Sequence, residues 1–214
     1  MIKFIIFDFD GTLVNTLPLT SEAVRRFLKY KNINKTITDE DVLKVMSLVG
    51  NEICQHFMYP EIINMDEYND VYKKEIELLA SQGKPFPNVI STLKTLKQKG
   101  IKLYVLSNKN DETVKRYTSI IFGNDIFIDS QGVVDNIPPK PSPDLVEYFL
   151  NKNQLNKEEG LFVGDSEIDL ETAINCHMKS VIMSYGYADK EKMKKLPKPD
   201  YLLSDFKDIL KIIN

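Results

Sequence analysis

The chain has 214 residues, 43% of them hydrophobic and 28% charged, with a formal net charge of −3. That length suits one large domain, or a main domain with a smaller insert, and supports a sizeable core. The charge balance gives no reason to expect nucleic acid or an anionic membrane as a partner, and no stretch is apolar over a bilayer-spanning length. Two cysteines, Cys54 and Cys176, lie far apart and match no metal-ligand spacing, which fits a reduced compartment. Cytoplasm is the expected location.

Residues 3–7 form the first short apolar run and lead into "DFDGTLVNT". Parallel strands buried on both faces have this near-continuous apolar character. Asp8 and Asp10 follow, two apart, and in extended chain such residues share a face. Two carboxylates on one face repel unless a cation lies near them. The bland reading is an acidic, solvated turn. Gly11 and Thr12 come next, and glycine lets the backbone approach a ligand closely. The position also fits a ligand site beyond the carboxyl ends of the strands of an open α/β sheet.

Residues 17–84 carry no convincing strand. Their apolar residues recur at helical spacing: Ala23, Val24, Phe27 and Leu28; then Val42, Val45 and Met46 behind Thr38 as an N-cap; then Tyr68, Val71, Tyr72, Ile76 and Leu79. "GKPFPN" at 83–88 reads as a linker. Val89, Leu93 and Leu96 then mark a helix that Gly100 stops.

Strands are expected at 102–106, 161–163, 180–183 and 201–203, with helices between most of them. One helical stripe is Val114, Tyr117 and Ile121; another is Leu145, Phe149 and Leu150, behind Ser142 as N-cap and Pro143 in the first turn. Strand alternating with helix predicts a parallel sheet covered on both faces, an α/β class fold.

Three later strand or loop ends carry polar groups. The run at 102–106 ends in "SNK", where Ser107 and free backbone N–H groups suit a phosphate oxygen. "PPKPSPD" fences Lys140 with prolines. "GDSEIDLETA" holds Asp165 and Asp169, four apart, so one helical turn brings them to one face. Taken singly, Ser107 reads equally as a helix cap, Lys140 as an exposed loop lysine, and the two acids as a capping and a surface acid. Taken together they suit a hard divalent cation and a phosphate, since Mg²⁺ pairs carboxylates with phosphate oxygens.

The order DFDGT, SN, K, GDxxxD resembles the haloacid dehalogenase-like hydrolase superfamily, over the whole chain. "DGTLVNT", "SNK", "KPSPD" and "GDSEIDLETA" look most like its phosphoglycolate phosphatase branch. The resemblance implies a Rossmann-like catalytic core at 1–16 and 85–214 and an all-helical cap at 17–84. It implies Asp8 as nucleophile through an aspartyl-phosphate, and Asp10 as the acid that protonates the leaving oxygen and then activates water. Ser107 and Lys140 would hold the phosphoryl group, with Gly11, Thr12 and Asn108 as further substrate contacts. Mg²⁺ would be bound by the Asp8 carboxylate, the Asp10 backbone carbonyl and Asp165, with Asp169 supporting that shell. "SLVGNE" at 47–52 resembles the cap loop facing the site, with Gly50 and Asn51 near substrate. Halide-removing members lack an acid at position 10, so phosphoryl transfer is the better reading. The implied partner is a small phosphorylated metabolite; monomer or homodimer stays open.

Two positions depart from the pattern. Asn15 stands where aspartate is common, next to the hinge into the cap. "INCHM" has Cys176 and His177 where small residues are usual, and His177 reads as a helix-end residue. His56 reads as packing or surface. Three alternatives stay open: a phosphosugar mutase on the same core, a phosphonate-cleaving enzyme using Lys35 or Lys44, and a non-catalytic binding module. Hinges are expected at 14–17 and 83–87.

Overall fold

Strand β1 (Phe4–Phe7) is wholly buried, and its alternating side chains feed two separate cores. Phe4 and Ile6 pack among Tyr104, Leu106, Leu145, Phe149 and Phe162; Ile5 and Phe7 pack among Leu93, Leu96, Val105 and Phe206. That is why the strand shows no polar alternation. The computed structural model describes residues 1–46, 48, 50–62, 64–67, 71 and 73–213; the side chains of 50, 51, 65, 73, 76 and 77 fall outside that description.

The other elements follow in chain order: β2 (Val14–Asn15), α1 (Leu17–Tyr30), α2 (Asp39–Leu43), α3 (Gly50–Met58), α4 (Met65–Glu67), α5 (Lys73–Ala80), β3 (Lys84–Pro85), α6 (Val89–Gln98), β4 (Lys102–Asn110), α7 (Asp111–Phe122), β5 (Asp129–Val133), α8 (Pro143–Lys152), β6 (Gly160–Gly164), α9 (Glu167–Cys176), β7 (Lys179–Met183), α10 (Lys190–Met193) and β8 (Tyr201–Leu203). The main sheet is six-stranded and parallel, in the order β5-β4-β1-β6-β7-β8. β1 is central, and the order reverses beside it, which opens a crevice at its carboxyl end. This is the expected α/β, Rossmann-like architecture.

One strand of the main sheet was not foreseen. β5 reads DSQGV, a polar edge strand. Its buried Gln131 donates from Nε2 to Asp111 at 2.6 Å and accepts from Lys152 Nζ at 2.9 Å, so hydrogen bonds replace apolar burial. β4 also runs on to Asn110, four residues beyond the apolar run.

Helices α1 to α5 lie between β2 and β3, which pair antiparallel where the chain leaves and re-enters the main sheet's side. Part of the expected linker is therefore a strand. α1 buries Ala23, Val24, Phe27 and Leu28, and Thr38 caps α2 through a capping box with Asp41. Val71 and Leu79 join the same apolar cluster; Tyr68, Tyr72 and the Ile76 side chain lie outside the described residues. Ion pairs from Arg26 to Glu75 and from Arg25 to Asp39 join α1 to α5 and α2; both are exposed and contribute little. His177 closes α9 in the left-handed conformation, φ 56°, and both cysteines are free and buried.

Candidate active site

The chain leaves β1 at its carboxyl end with Asp8, whose N–H still bonds the Val163 carbonyl at 2.8 Å. Asp8 is buried. Lys140 Nζ donates to Asp8 Oδ1 at 2.6 Å and to Asp169 Oδ1 at 2.7 Å, with only 3% of the lysine side chain exposed. The loop lysine of the sequence is thus a buried ammonium shared by two carboxylates.

Asn108 fixes that lysine. Its Oδ1 accepts the Lys140 N–H at 2.9 Å and its Nδ2 donates to the Lys140 carbonyl at 2.8 Å. Asn108 therefore meets the Lys140 backbone, while its neighbours on β4 turn the other way. Ser107 is buried, 3.5 Å from Asp10 Oδ2, and accepts the Lys109 N–H at 3.2 Å.

Asp165 follows β6 and precedes α9, so it and Asp169 do not share a helix turn as the spacing suggested. Ser166 is the N-cap, and Asp169 reaches back as the acid of a capping box. Asp169 Oδ2 accepts from the Asp165 N–H at 3.2 Å, the Ser166 N–H at 3.1 Å and the Ser166 hydroxyl at 2.7 Å. Asp165 accepts the Thr12 hydroxyl at 2.6 Å and the Tyr187 N–H at 2.6 Å. These bonds hold both carboxylates in place.

Asp8, Asp165 and Asp169 each offer an oxygen, all within 4.8 Å of one another. Three buried carboxylates thus cluster where Lys140 supplies one ammonium, paired with Asp8 and Asp169. Burial is the main force raising the Asp8 carboxyl to about 7, against the pull of Lys140. Burial also raises Asp165 well above the ordinary carboxylate range, with the Asp169 and Asp8 charges adding to it. Lys140 is raised, because the attraction of Asp169 and Asp8 outweighs its own desolvation. The ammonium keeps its proton, and the acids lack positive charge. A hard divalent cation with oxygen donors fits that deficit, as Mg²⁺ does.

Asp10 stands apart from this cluster. Its Oδ1 accepts the Thr16 hydroxyl at 2.5 Å and lies 3.1 Å from Lys109 Nζ. Gly11 has φ +82°, and a Cβ there would strike the Asp165 carboxylate and the Tyr187 ring. Gly11→Ala is therefore expected to destabilise the protein by about 1–3 kcal/mol. Urea denaturation checks this; a loss below about 0.5 kcal/mol would contradict the crowding.

Tyr187, Thr16 and Lys109 were missed by sequence reasoning. Tyr187 donates its hydroxyl to Asn15 Oδ1 at 2.8 Å and accepts the Leu17 N–H at 2.9 Å, so it ties the Asp165 loop to the start of α1. A contact across 170 residues leaves no local signal. Lys109 did have one, since it stands two after Ser107 on a strand. Ser47 and Val49, with the side chain of Asn51, lie outside the described residues; the backbone of Gly50 and Asn51 opens α3. Lys35 donates to the Phe57 carbonyl at 3.1 Å and Lys44 pairs with Asp41 at 3.7 Å.

The sequence model described as haloacid dehalogenase-like hydrolase matches residues 5–183. The chain is 31% identical to a phosphoglycolate phosphatase of Pasteurella multocida, over 99% of this chain and 98% of that protein. It is 27% identical to the pyrophosphatase PpaX of Halalkalibacterium halodurans, over 99% and 97%. Among solved structures, a predicted phosphoglycolate phosphatase from Haemophilus somnus superposes with TM-score 0.79 at 27% identity, over 100% and 98% of the two chains. CbbY from Rhodobacter sphaeroides, in complex with phosphate, reaches TM-score 0.85 at 21% identity, over 98% and 96%, a likeness of fold.

Proposed function

The chain belongs to the haloacid dehalogenase-like hydrolase family, in its phosphoglycolate phosphatase-like branch, and from that premise we propose that it is a Mg²⁺-dependent phosphatase acting on a small phosphate ester. The observation that carries this reading is the buried Asp8–Lys140–Asp169 set at the end of β1, with Asp10 two residues on.

Asp8 is the nucleophile. Lys140 holds its Oδ1 and orients the carboxylate. An Asp8 oxygen attacks phosphorus, the bond from phosphorus to the leaving oxygen breaks, and Asp10 gives that oxygen its proton. Asp10 then takes a proton from water as the water oxygen attacks the aspartyl-phosphate, and phosphate leaves. Thr16 keeps the Asp10 carboxylate in place through both steps. Ser107 and Lys140 bind the phosphoryl oxygens, and Asn108 positions Lys140 through its backbone. Gly11 and Thr12 bring the backbone close to substrate. Asp8, the Asp10 carbonyl, Asp165 and Asp169 are the residues that hold Mg²⁺ or support its shell. When bound, Mg²⁺ supplies positive charge that the phosphoryl oxygens and the acid cluster both need.

Residues 17–84 act as a cap over a core of 1–16 and 85–214, and the β2–β3 pair is the neck between them. Closure shuts water out, and Gly50 and Asn51 then lie toward the substrate. The substrate is a small phosphorylated metabolite. Phosphoglycolate is the first candidate and pyrophosphate the second, after the relatives named above. No helix among the described residues is long and apolar enough to cross a membrane, and we assign the chain to the cytoplasm.

The test is phosphate release from a panel of small phosphate esters and pyrophosphate, with Mg²⁺ and with EDTA. Release is expected with Mg²⁺ and is expected to fall at least 100-fold in EDTA. Sugar-phosphate isomerisation without release would favour the mutase instead. Metal-independent binding of the same compounds with neither reaction would favour the binding module.

A further inference from the structure

Ser107 and Lys109 lie two apart on β4, so their side chains share a face. Both reach Asp10: the Ser107 hydroxyl at 3.5 Å from Oδ2 and the Lys109 ammonium at 3.1 Å from Oδ1. Among the described residues, Lys109 and Lys140 are the two ammonium groups paired with the site aspartates.

The two lysines differ in commitment. Lys140 is almost wholly buried and held by two carboxylates at 2.6 and 2.7 Å. Lys109 has one carboxylate at a longer distance, and 16% of its side chain is exposed. Its ammonium lies 5.7 Å from the centroid of the buried Tyr117 ring. Asp10 does not depend on it, because Oδ1 also accepts the Thr16 hydroxyl at 2.5 Å. A flexible four-carbon stem lets such an ammonium turn to a better anion.

We propose that Lys109 is a specificity-determining residue: its ammonium binds a negative charge on the leaving-group side of the substrate, so that phosphate compounds whose leaving group carries a carboxylate or a second phosphate are preferred over neutral ones. This rests on the phosphatase reading above, in which Asp10 meets the leaving oxygen. A cation beside Asp10 is then a cation beside the leaving group. Lys140 serves the opposite, phosphoryl end. An anionic leaving group that met only Asp10 would find no positive charge there, and Lys109 supplies it.

The test compares kcat and KM for two matched pairs in wild type, Lys109→Met and Lys109→Arg. Phosphoglycolate is set against 2-hydroxyethyl phosphate, which replaces the carboxylate with a neutral hydroxymethyl group, and pyrophosphate against methyl phosphate. Wild type is expected to favour the anionic member of each pair at least 10-fold in kcat/KM. Lys109→Met is expected to shrink that ratio by about 10- to 100-fold, mostly through a higher KM for the anionic member, and Lys109→Arg to restore part of it. An equal loss on both members of each pair, or an unchanged ratio, would overturn the assignment. Wild-type turnover of all four compounds with no charge preference would also overturn it while leaving the phosphatase reading standing. No phosphate release from any of the four would sink both.

Discussion

Asp8→Asn is expected to lower kcat for phosphate release by about 10⁴- to 10⁶-fold and to leave the fold intact. The activity loss follows from the nucleophile's role, because an amide oxygen does not form the acyl phosphate. The stability follows from the electrostatics. Asp8 is held near 7 by burial, above its ordinary value of 3.8. A group raised in this way contributes stability that is fully present below about 4 and is lost as pH rises through about 7. Without a divalent cation, wild type should therefore weaken from pH 5 to pH 8. The Asn variant carries no charge there and should weaken less, while its amide oxygen still accepts from Lys140. Added Mg²⁺ should raise the Tm of wild type at pH 8 more than that of the variant. Thermal melts at the two pH values, in EDTA and in Mg²⁺, check the sign. Residual activity within 100-fold of wild type, or a variant less stable than wild type at pH 8 in EDTA, would contradict the assignment.

Lys140→Met carries the largest expected loss of stability. The lysine is the buried cation between Asp8 and Asp169, and its removal leaves both carboxylates without it. Breaking a buried pair in this way costs about 3–5 kcal/mol. The cost should be greater at pH 8 than at pH 5, because Asp8 escapes it by taking up a proton. Mg²⁺ should recover part of the stability by supplying charge to the same acids. It should not recover activity, because the phosphoryl oxygens lose a fixed donor, a loss of about 10²- to 10³-fold in kcat. Urea denaturation at both pH values, with phosphate release on the refolded protein, measures both effects. A variant within 1 kcal/mol of wild type at pH 8 in EDTA would mean that the acids do not need the lysine.

The main sheet was legible wherever burial on both faces forced apolar runs, as in β1 with its Phe-Ile-Ile-Phe. β5 was not, since Ser130 and Gln131 are buried through hydrogen bonds rather than through apolar side chains. β4 was read too short because its polar end, Ser107 to Asn110, looks like a loop in composition yet stays extended. The aspartates stood out because crowded carboxylates at strand ends demand a cation, which is a local signal. Lys140 stood out through its prolines, but not its burial, which depends on Asp8 and Asp169 from distant parts of the chain. Spacing alone put Asp165 and Asp169 on one helix turn, whereas the helix starts only after Ser166, its N-cap, which leaves Asp165 outside it and makes Asp169 a capping acid. Asn15, noticed as a departure from the family pattern, meets the Tyr187 hydroxyl, a contact that only the folded chain creates.

The most direct measurement is a trap for phosphate on Asp8. Wild-type protein would be mixed with phosphoglycolate, or with the best compound of the panel, in Mg²⁺, quenched in acid within the first turnovers, reduced with borohydride and digested. Mass spectrometry is expected to find homoserine at position 8 in the peptide that carries "DFDGT", and none in samples without substrate or in Asp8→Asn. Turnover that proceeds at full rate with Asp8 never labelled would contradict the aspartyl-phosphate route and the role assigned to this residue.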